Sequence, residues 1–190
     1  SETAYDSIPP DVVETLKLAT LNILACCLGG LQTRIGQLHV EMAKELGGGA
    51  EQATILGDGT RISLPFSVYA NSNLAFALDY EDMLFAVAHP GFAAIPSGLA
   101  LGEGRTLSGR EFIAGIAVGY EVTSRIAMTM QPSQARARRV WGQQFHPFAS
   151  ACTAANLLRL DPEESEVALG VAATYATVPS VYKYFGPVRD

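Results

Sequence analysis

Three histidines stand among the 190 residues: His39, His89 and His146. Two share a local pattern. His89-Pro90-Gly91 and His146-Pro147-Phe148 each precede a long run of small and apolar residues. Proline biases the residue before it away from the α region and suits the first turn of a helix. Each of these histidines is therefore expected at or just before a helix N-terminus. Unsatisfied N–H groups and the positive end of the helix dipole attract carboxylates there, and they tend to hold an imidazole neutral. Two such imidazoles in one site would suit acid–base work on an acidic substrate. The plainer alternative, that both merely cap helices, stays open on pattern alone. His39 lies mid-helix in Gln37-Leu38-His39-Val40-Glu41 and reads as a surface or satisfied core residue.

Ten residues before His89 comes Asp79-Tyr80-Glu81-Asp82, three acids in four positions after an apolar helix. A helix C-terminus already carries negative partial charge, so this placement is locally unfavourable, and such a cost points to a site. Any of the three acids could sit beside a histidine as an orienting carboxylate or a general base. A metal is the competing use, with Asp79, His89 and His146 as a two-histidine, one-carboxylate set. No HxH, HxxxH or HExxH spacing supports it, and no metal is expected. Nucleophilic catalysis has less support: there is no GxSxG elbow, and only Cys152 lies near a histidine. Arg136, Arg138 and Arg139 form the one basic patch. They read as a solvated loop, with an acidic substrate or partner as the sharper alternative.

The elements that must position these groups are mostly helices. Hydrophobic residues make up 48% and charged residues 17%, which excludes a disordered chain and suits one domain. The net charge of −6 without a basic block argues against nucleic acid. The best membrane candidate, residues 16–31, is broken by Thr20, Asn22 and Gly29-Gly30 and reads as a buried helix, so no membrane is expected. Ser1-Glu2-Thr3 carries no basic n-region, and a cytoplasmic location is expected. Cys26, Cys27 and Cys152, odd in number and without CxxC spacing, are expected to be reduced, buried thiols.

Pro9-Pro10-Asp11 opens a helix in which Val12, Val13, Leu16, Ala19, Ile23, Cys26 and Cys27 recur at three- and four-residue spacing, and Gly29-Gly30 ends it. A second helix over 33–46 places Ile35, Leu38, Met42 and Leu46 on one face. Gly57-Asp58-Gly59 between short β-prone runs predicts a hairpin. Further helices start at Leu64-Pro65, after Ser108 with its capping-box Glu111, and at Asp161-Pro162. Small residues in 149–155 and 170–173 suggest close helix packing. The expected fold class is all-α: a helical bundle with one small β-hairpin.

At this point the motifs match a known family. The segment Ala70-Asn71-Ser72-Asn73-Leu74-Ala75-Phe76-Ala77-Leu78-Asp79-Tyr80-Glu81-Asp82, then His89-Pro90-Gly91, then Gly115-Ile116-Ala117-Val118-Gly119-Tyr120-Glu121-Val122 with Arg125, resembles the MmgE/PrpD family. That family includes 2-methylcitrate dehydratases, cis-aconitate decarboxylases and iminodisuccinate epimerases. Phe145-His146-Pro147 is similar to its second histidine motif, and the likeness runs over residues 12–175. The resemblance implies that the chain is part of the family's helical domain, with the α/β lid domain outside it. It implies a homodimer that acts on a small di- or tricarboxylic acid without metal or other cofactor. Asp79, His89 and His146 would be the catalytic groups. The reaction expected is proton abstraction next to a carboxylate, leading to dehydration, decarboxylation or epimerisation. The alternative is a catalytically incomplete fragment or degenerate relative that serves as a dimerisation or scaffold unit.

Overall fold

A computed structural model describes residues 3–84, 88–130 and 145–176. Arg136, Arg138 and Arg139 lie outside the described residues. Among the described residues are seven α-helices and one two-stranded hairpin: α1 Pro10–Gly30, α2 Arg34–Leu46, β1 Ala53–Thr54, β2 Arg61–Ile62, α3 Leu64–Phe76, α4 Gly91–Arg105, α5 Gly109–Met130, α6 His146–Leu158 and α7 Pro162–Tyr175. The fold is all-α with a minor hairpin, as the periodicity predicts.

Helix starts follow their sequence signals. The Thr33 hydroxyl caps α2 by accepting from Gly36 N–H at 3.0 Å. Ser108 and Glu111 exchange reciprocal bonds before α5, and Asp161 and Glu164 do the same before α7. The hairpin pairs Ala53 with Ile62 and Thr54 with Arg61. Gly57 and Gly59 supply the positive φ of its turn. Buried Asn71 of α3 holds it down, accepting from Leu56 N–H at 2.8 Å and donating to Thr54 O at 2.9 Å.

α3 and α4 run through the middle of the bundle. α3 packs on α1, α2 and α4; α4 packs on α3, α5 and α6; and α5 lies along α6. Ile23, Cys27, Leu74, Ile95 and Ile116 are fully enclosed in this core. Close approach depends on glycine. A Cβ on Gly30 would stand 2.0 Å from Leu74 O, and one on Gly36 would stand 2.1 Å from Gly30 O. All three cysteines are free thiols and buried.

Ile35, Leu38, Met42 and Leu46 share a face of α2, and that face is exposed; the buried residues are Gly36, Val40 and Ala43. At Gly36, α2 approaches α1 so closely that no side chain fits between them. On α7, Val167, Val171 and Tyr175 are likewise exposed, and Gly170 faces open space rather than a packed neighbour. Finally, α1 is long and apolar enough to cross a membrane by length and composition, contrary to the sequence expectation. Thr20 and Asn22 are too few to lower its mean. A third of its most apolar stretch is buried inside the protein, and Leu18, Leu21 and Leu28 are exposed.

Candidate active site

The acidic segment leaves α3 by a tight turn. Asp79 has a φ of 53°, and its N–H donates to Phe76 O at 3.1 Å. Aspartate tolerates this left-handed conformation better than most residues, and such outliers gather at functional sites. The Asn22 side chain donates to Tyr80 O at 3.2 Å, which ties the segment to α1. Leu84 and Ala88 then form an antiparallel bridge, with Leu84 N–H donating to Ala88 O at 2.8 Å. The bridge returns the chain so that His89 meets the acids it has just passed.

His89 stands before Pro90, the N-cap of α4, and His146 is the first residue of α6. Both histidines thus occupy the helix starts that their prolines predict. They also touch each other: the backbone N–H of His89 donates to Nε2 of His146 at 3.2 Å. A backbone N–H can only donate, so Nε2 of His146 is the acceptor and a neutral His146 carries its proton on Nδ1. An apolar cluster anchors the flanking residues. Ala88 and Phe145 pack with Ala127 of α5, and Phe148 and Met130 lie around them. The ring of Phe92 meets His146 edge-on, with centroids 4.2 Å apart.

Each acid of the cluster has a different environment. Glu81 Oε1 lies 3.0 Å from His89 Nδ1. Asp82 is half-buried, and its Oδ1, sealed from solvent, crowds the Gly91 backbone beside the Tyr120 hydroxyl. Asp79 is exposed, with a carboxylate oxygen within 4.8 Å of ligand atoms of both Glu81 and His89. The Glu81 carboxylate against Nδ1 holds the His89 imidazole above the ordinary histidine pKa. Burial opposes the shift, and the charges of Glu81, Asp79 and Asp82 add to it. Burial pushes the Asp82 carboxyl up, against the opposing effect of the nearby Tyr120 hydroxyl and Gly91 N–H. The Tyr120 hydroxyl is pushed far up by burial and by the neighbouring Asp82.

These facts divide the work between the two histidines. With Glu81 on Nδ1, the His89 nitrogen left for a substrate is Nε2. In His146, Nε2 is taken up by the His89 backbone. Among the described residues, Asp79, Glu81 and His89 could jointly hold a cation. The set weighed from sequence had His146 in place of Glu81. A cavity of about 570 Å³ lies elsewhere, against Tyr5, Arg110, Asn156 and Arg159, and none of the site residues line it. His39 is satisfied by the Tyr69 hydroxyl, 2.6 Å from Nδ1.

The geometry joins motifs that are far apart in the chain, in the order in which one family carries them. The family model for the MmgE/PrpD N-terminal domain matches residues 1–185.

The chain belongs to the MmgE/PrpD family.

Its relatives include cis-aconitate decarboxylase of Aspergillus terreus, 29% identical over 199 residues, which span 100% of this chain and 40% of that protein. Another is the cis-aconitate decarboxylase-like protein oryM of Aspergillus oryzae, 24% identical over 205 residues, spanning 100% of this chain and 41% of that protein. The chain therefore spans about two-fifths of the length of the curated relatives it matches. The relatives' names support a lyase-type family.

In this member of the MmgE/PrpD family, the structure brings Asp79, His89 and His146 to one place. It gives separate places to Glu81 and Asp82, which the sequence offered only as alternatives within the acid cluster, and it adds Tyr120, to which sequence reasoning gave no role. The acid cluster was the available signal, but no periodicity in 79–82 separates the acid that touches the imidazole from the one that faces water.

Proposed function

We propose that this protein is a lyase-like enzyme that moves a proton at carbon next to a carboxylate of a small di- or tricarboxylic acid. His89 is the acid–base group. Nε2 faces the substrate, Glu81 fixes the tautomer through Nδ1, and His146 holds the backbone of His89. Asp79, at the rim, orients substrate or relays the proton. The observation that carries this reading is the 3.0 Å contact between Glu81 and His89, made while His146 accepts from the same residue's N–H.

The chemistry needs positive potential where charge develops, because a carbanion beside a carboxylate is costly. The raised affinity of His89 for its proton supplies part of it: an imidazolium can pair with a substrate carboxylate and then deliver its proton to carbon. The amino ends of α4 and α6 supply more. A positioned acid–base group of this kind contributes typically ~10²–10⁴-fold. In a decarboxylation, the C–C bond to the departing carboxylate breaks, carbon dioxide leaves with the bond's electrons remaining on carbon, and His89 protonates that carbon. The names of the relatives make cis-aconitate the first substrate to try. The same machinery, starting from neutral His89, would serve dehydration or epimerisation. No metal is required by this scheme.

The test is NMR of a panel of di- and tricarboxylates, cis-aconitate included, incubated with the protein in D₂O. Turnover or deuterium incorporation at carbon is expected for at least one compound, and its loss in His89→Ala. A folded protein that changes none of them favours the second reading, a dimerisation or scaffold unit without turnover.

We further propose a homodimer. The exposed Leu18, Leu21 and Leu28 of α1, and Ile35, Leu38 and Met42 of α2, support a partner surface. Sedimentation at micromolar concentration should give the mass of two chains, and Leu21→Glu should lower it. A monomer at all concentrations overturns the idea.

A further inference from the structure

We propose that Asp82 and Tyr120 form a positioning pair that seats the amino end of α4 and so sets His89 against Glu81 and His146. This deepens the acid–base reading above, and only its kinetic test rests on that reading.

The evidence for the pair is a crowding of polar atoms around Gly91. A Cβ built on Gly91 would stand 1.8 Å from Asp82 Oδ1 and 2.4 Å from the Tyr120 hydroxyl oxygen. Those two oxygens therefore flank one backbone position, two residues after His89, and no side chain larger than hydrogen fits between them. Both oxygens are sealed from solvent, and neither makes a hydrogen bond of ordinary geometry with a described residue. A buried hydroxyl or carboxylate left alone is costly, so two such oxygens flanking one backbone position are placed to satisfy each other. In this proposal Tyr120 O–H is the donor and the Asp82 carboxylate the acceptor. Gly91 N–H, one of the orphan donors of the first turn of α4, lies beside the same carboxylate. The carboxylate also meets the positive end of the helix dipole.

Consecutive acids then do different jobs. Glu81 grips the imidazole ring of His89, while Asp82 grips the backbone two residues further on. Between the two lies Pro90, whose ring removes one backbone freedom. With the ring and the following backbone both fixed, the His89 N–H is aimed at His146 Nε2. Tyr120 comes from the middle of α5, so the pair also ties α5 to the start of α4.

Tyr120→Phe is the decisive variant, because it removes one hydroxyl and no charge. The first measurement needs no substrate: ¹⁵N NMR titration of the imidazoles, of which the chain has three. In the unmodified protein His89 should titrate above the ordinary histidine value, about 6.5. In Tyr120→Phe its midpoint should fall back toward that value, and the Nε2 resonance of His146 should move as its donor is displaced. A merely structural tyrosine would lower thermal stability and leave both histidine signals in place; that result overturns the proposal. If Tyr120→Phe does not fold, Gly91→Ala with and without Asp82→Ala decides instead. The added methyl should destabilise strongly alone and much less once the carboxylate is gone, and equal losses in both backgrounds overturn the pair. Where turnover is found, Tyr120→Phe should lower kcat by about 10²-fold with little change in KM, the mark of a misplaced acid–base group. A wild-type protein without turnover on any polycarboxylate would overturn the acid–base reading, and the NMR result would still decide the pair.

Discussion

Glu81 and His89 make a carboxylate–imidazole contact in which the acid is the buried partner. The Glu81 side chain has no solvent exposure, the His89 side chain keeps 13%, and Oε1 lies 3.0 Å from Nδ1. The acid therefore lies beneath the ring and cannot itself reach a ligand in solvent. Its effect must pass through the imidazole, as a fixed tautomer and a raised proton affinity.

Glu81→Gln should keep the shape of this contact and remove its charge. The expected outcome is a fall in turnover of about 10²-fold with an unchanged far-UV circular dichroism spectrum. The limb of the pH–rate profile that belongs to His89 should move to lower pH, because the largest cause of its raised pKa is gone. A limb that stays in place would show that another group titrates there.

The same contact makes stability depend on pH. His89 binds its proton more tightly in the folded state. Its contribution is thus fully present below the unfolded value of about 6.5, and is lost as pH rises through the higher folded pKa. Asp82, also raised, adds a loss of the same sign at lower pH, starting near the ordinary aspartate range. Urea denaturation should show the wild-type advantage over Glu81→Gln largest near pH 6 and shrinking toward pH 8.5. An advantage that grows with pH would contradict the pairing.

His89→Ala and His146→Ala should each cut turnover by orders of magnitude, about 10²–10⁴-fold for His89. They should differ in kind. Loss of His146 leaves the reacting ring present but its backbone unheld, so His146→Gln, which can offer a side-chain acceptor, should recover part of the activity. Near-normal turnover in either alanine variant sinks its assignment.

The cysteines should be inert in the folded protein. Burial pushes the Cys27 thiol up to about 12 and the Cys152 thiol up to about 11, and it raises Cys26 with help from the charges of Glu81 and Asp82. Thiolate is the reactive form. A disulfide-exchange reagent at pH 8 should label none of them natively and all three after denaturation. Fast native labelling would place a cysteine outside the core.

Two glycines should respond to alanine with opposite signs. At Gly36 the methyl would meet Gly30 O at 2.1 Å, and the variant should lose about 1–3 kcal/mol or more. Gly170 in α7 has open space around it, and alanine there should add about 0.4–1 kcal/mol. Thermal melts of the two variants check the contrast, and a stabilised Gly36→Ala would dismiss the close approach of α1 and α2.

Much of this protein was legible before any fold was seen, because the signals are local. Caps at Thr33, Ser108 and Asp161 announce helices within a few residues of themselves. Gly57 and Gly59 announce the hairpin turn, and the two His-Pro pairs announce helix starts. The order of the motifs carried the family resemblance. Tertiary structure alone decided which acid touches the imidazole, because Asp79, Glu81 and Asp82 are chemically alike and nearly adjacent, and their burial depends on how α3, α4 and α5 meet. It also decided which face of α2 is buried: the seam is made by Gly36, Val40 and Ala43, while the larger Ile35, Leu38, Met42 and Leu46 face outward. The bond between His89 and His146 spans 57 residues of sequence, and no local pattern encodes a contact of that range.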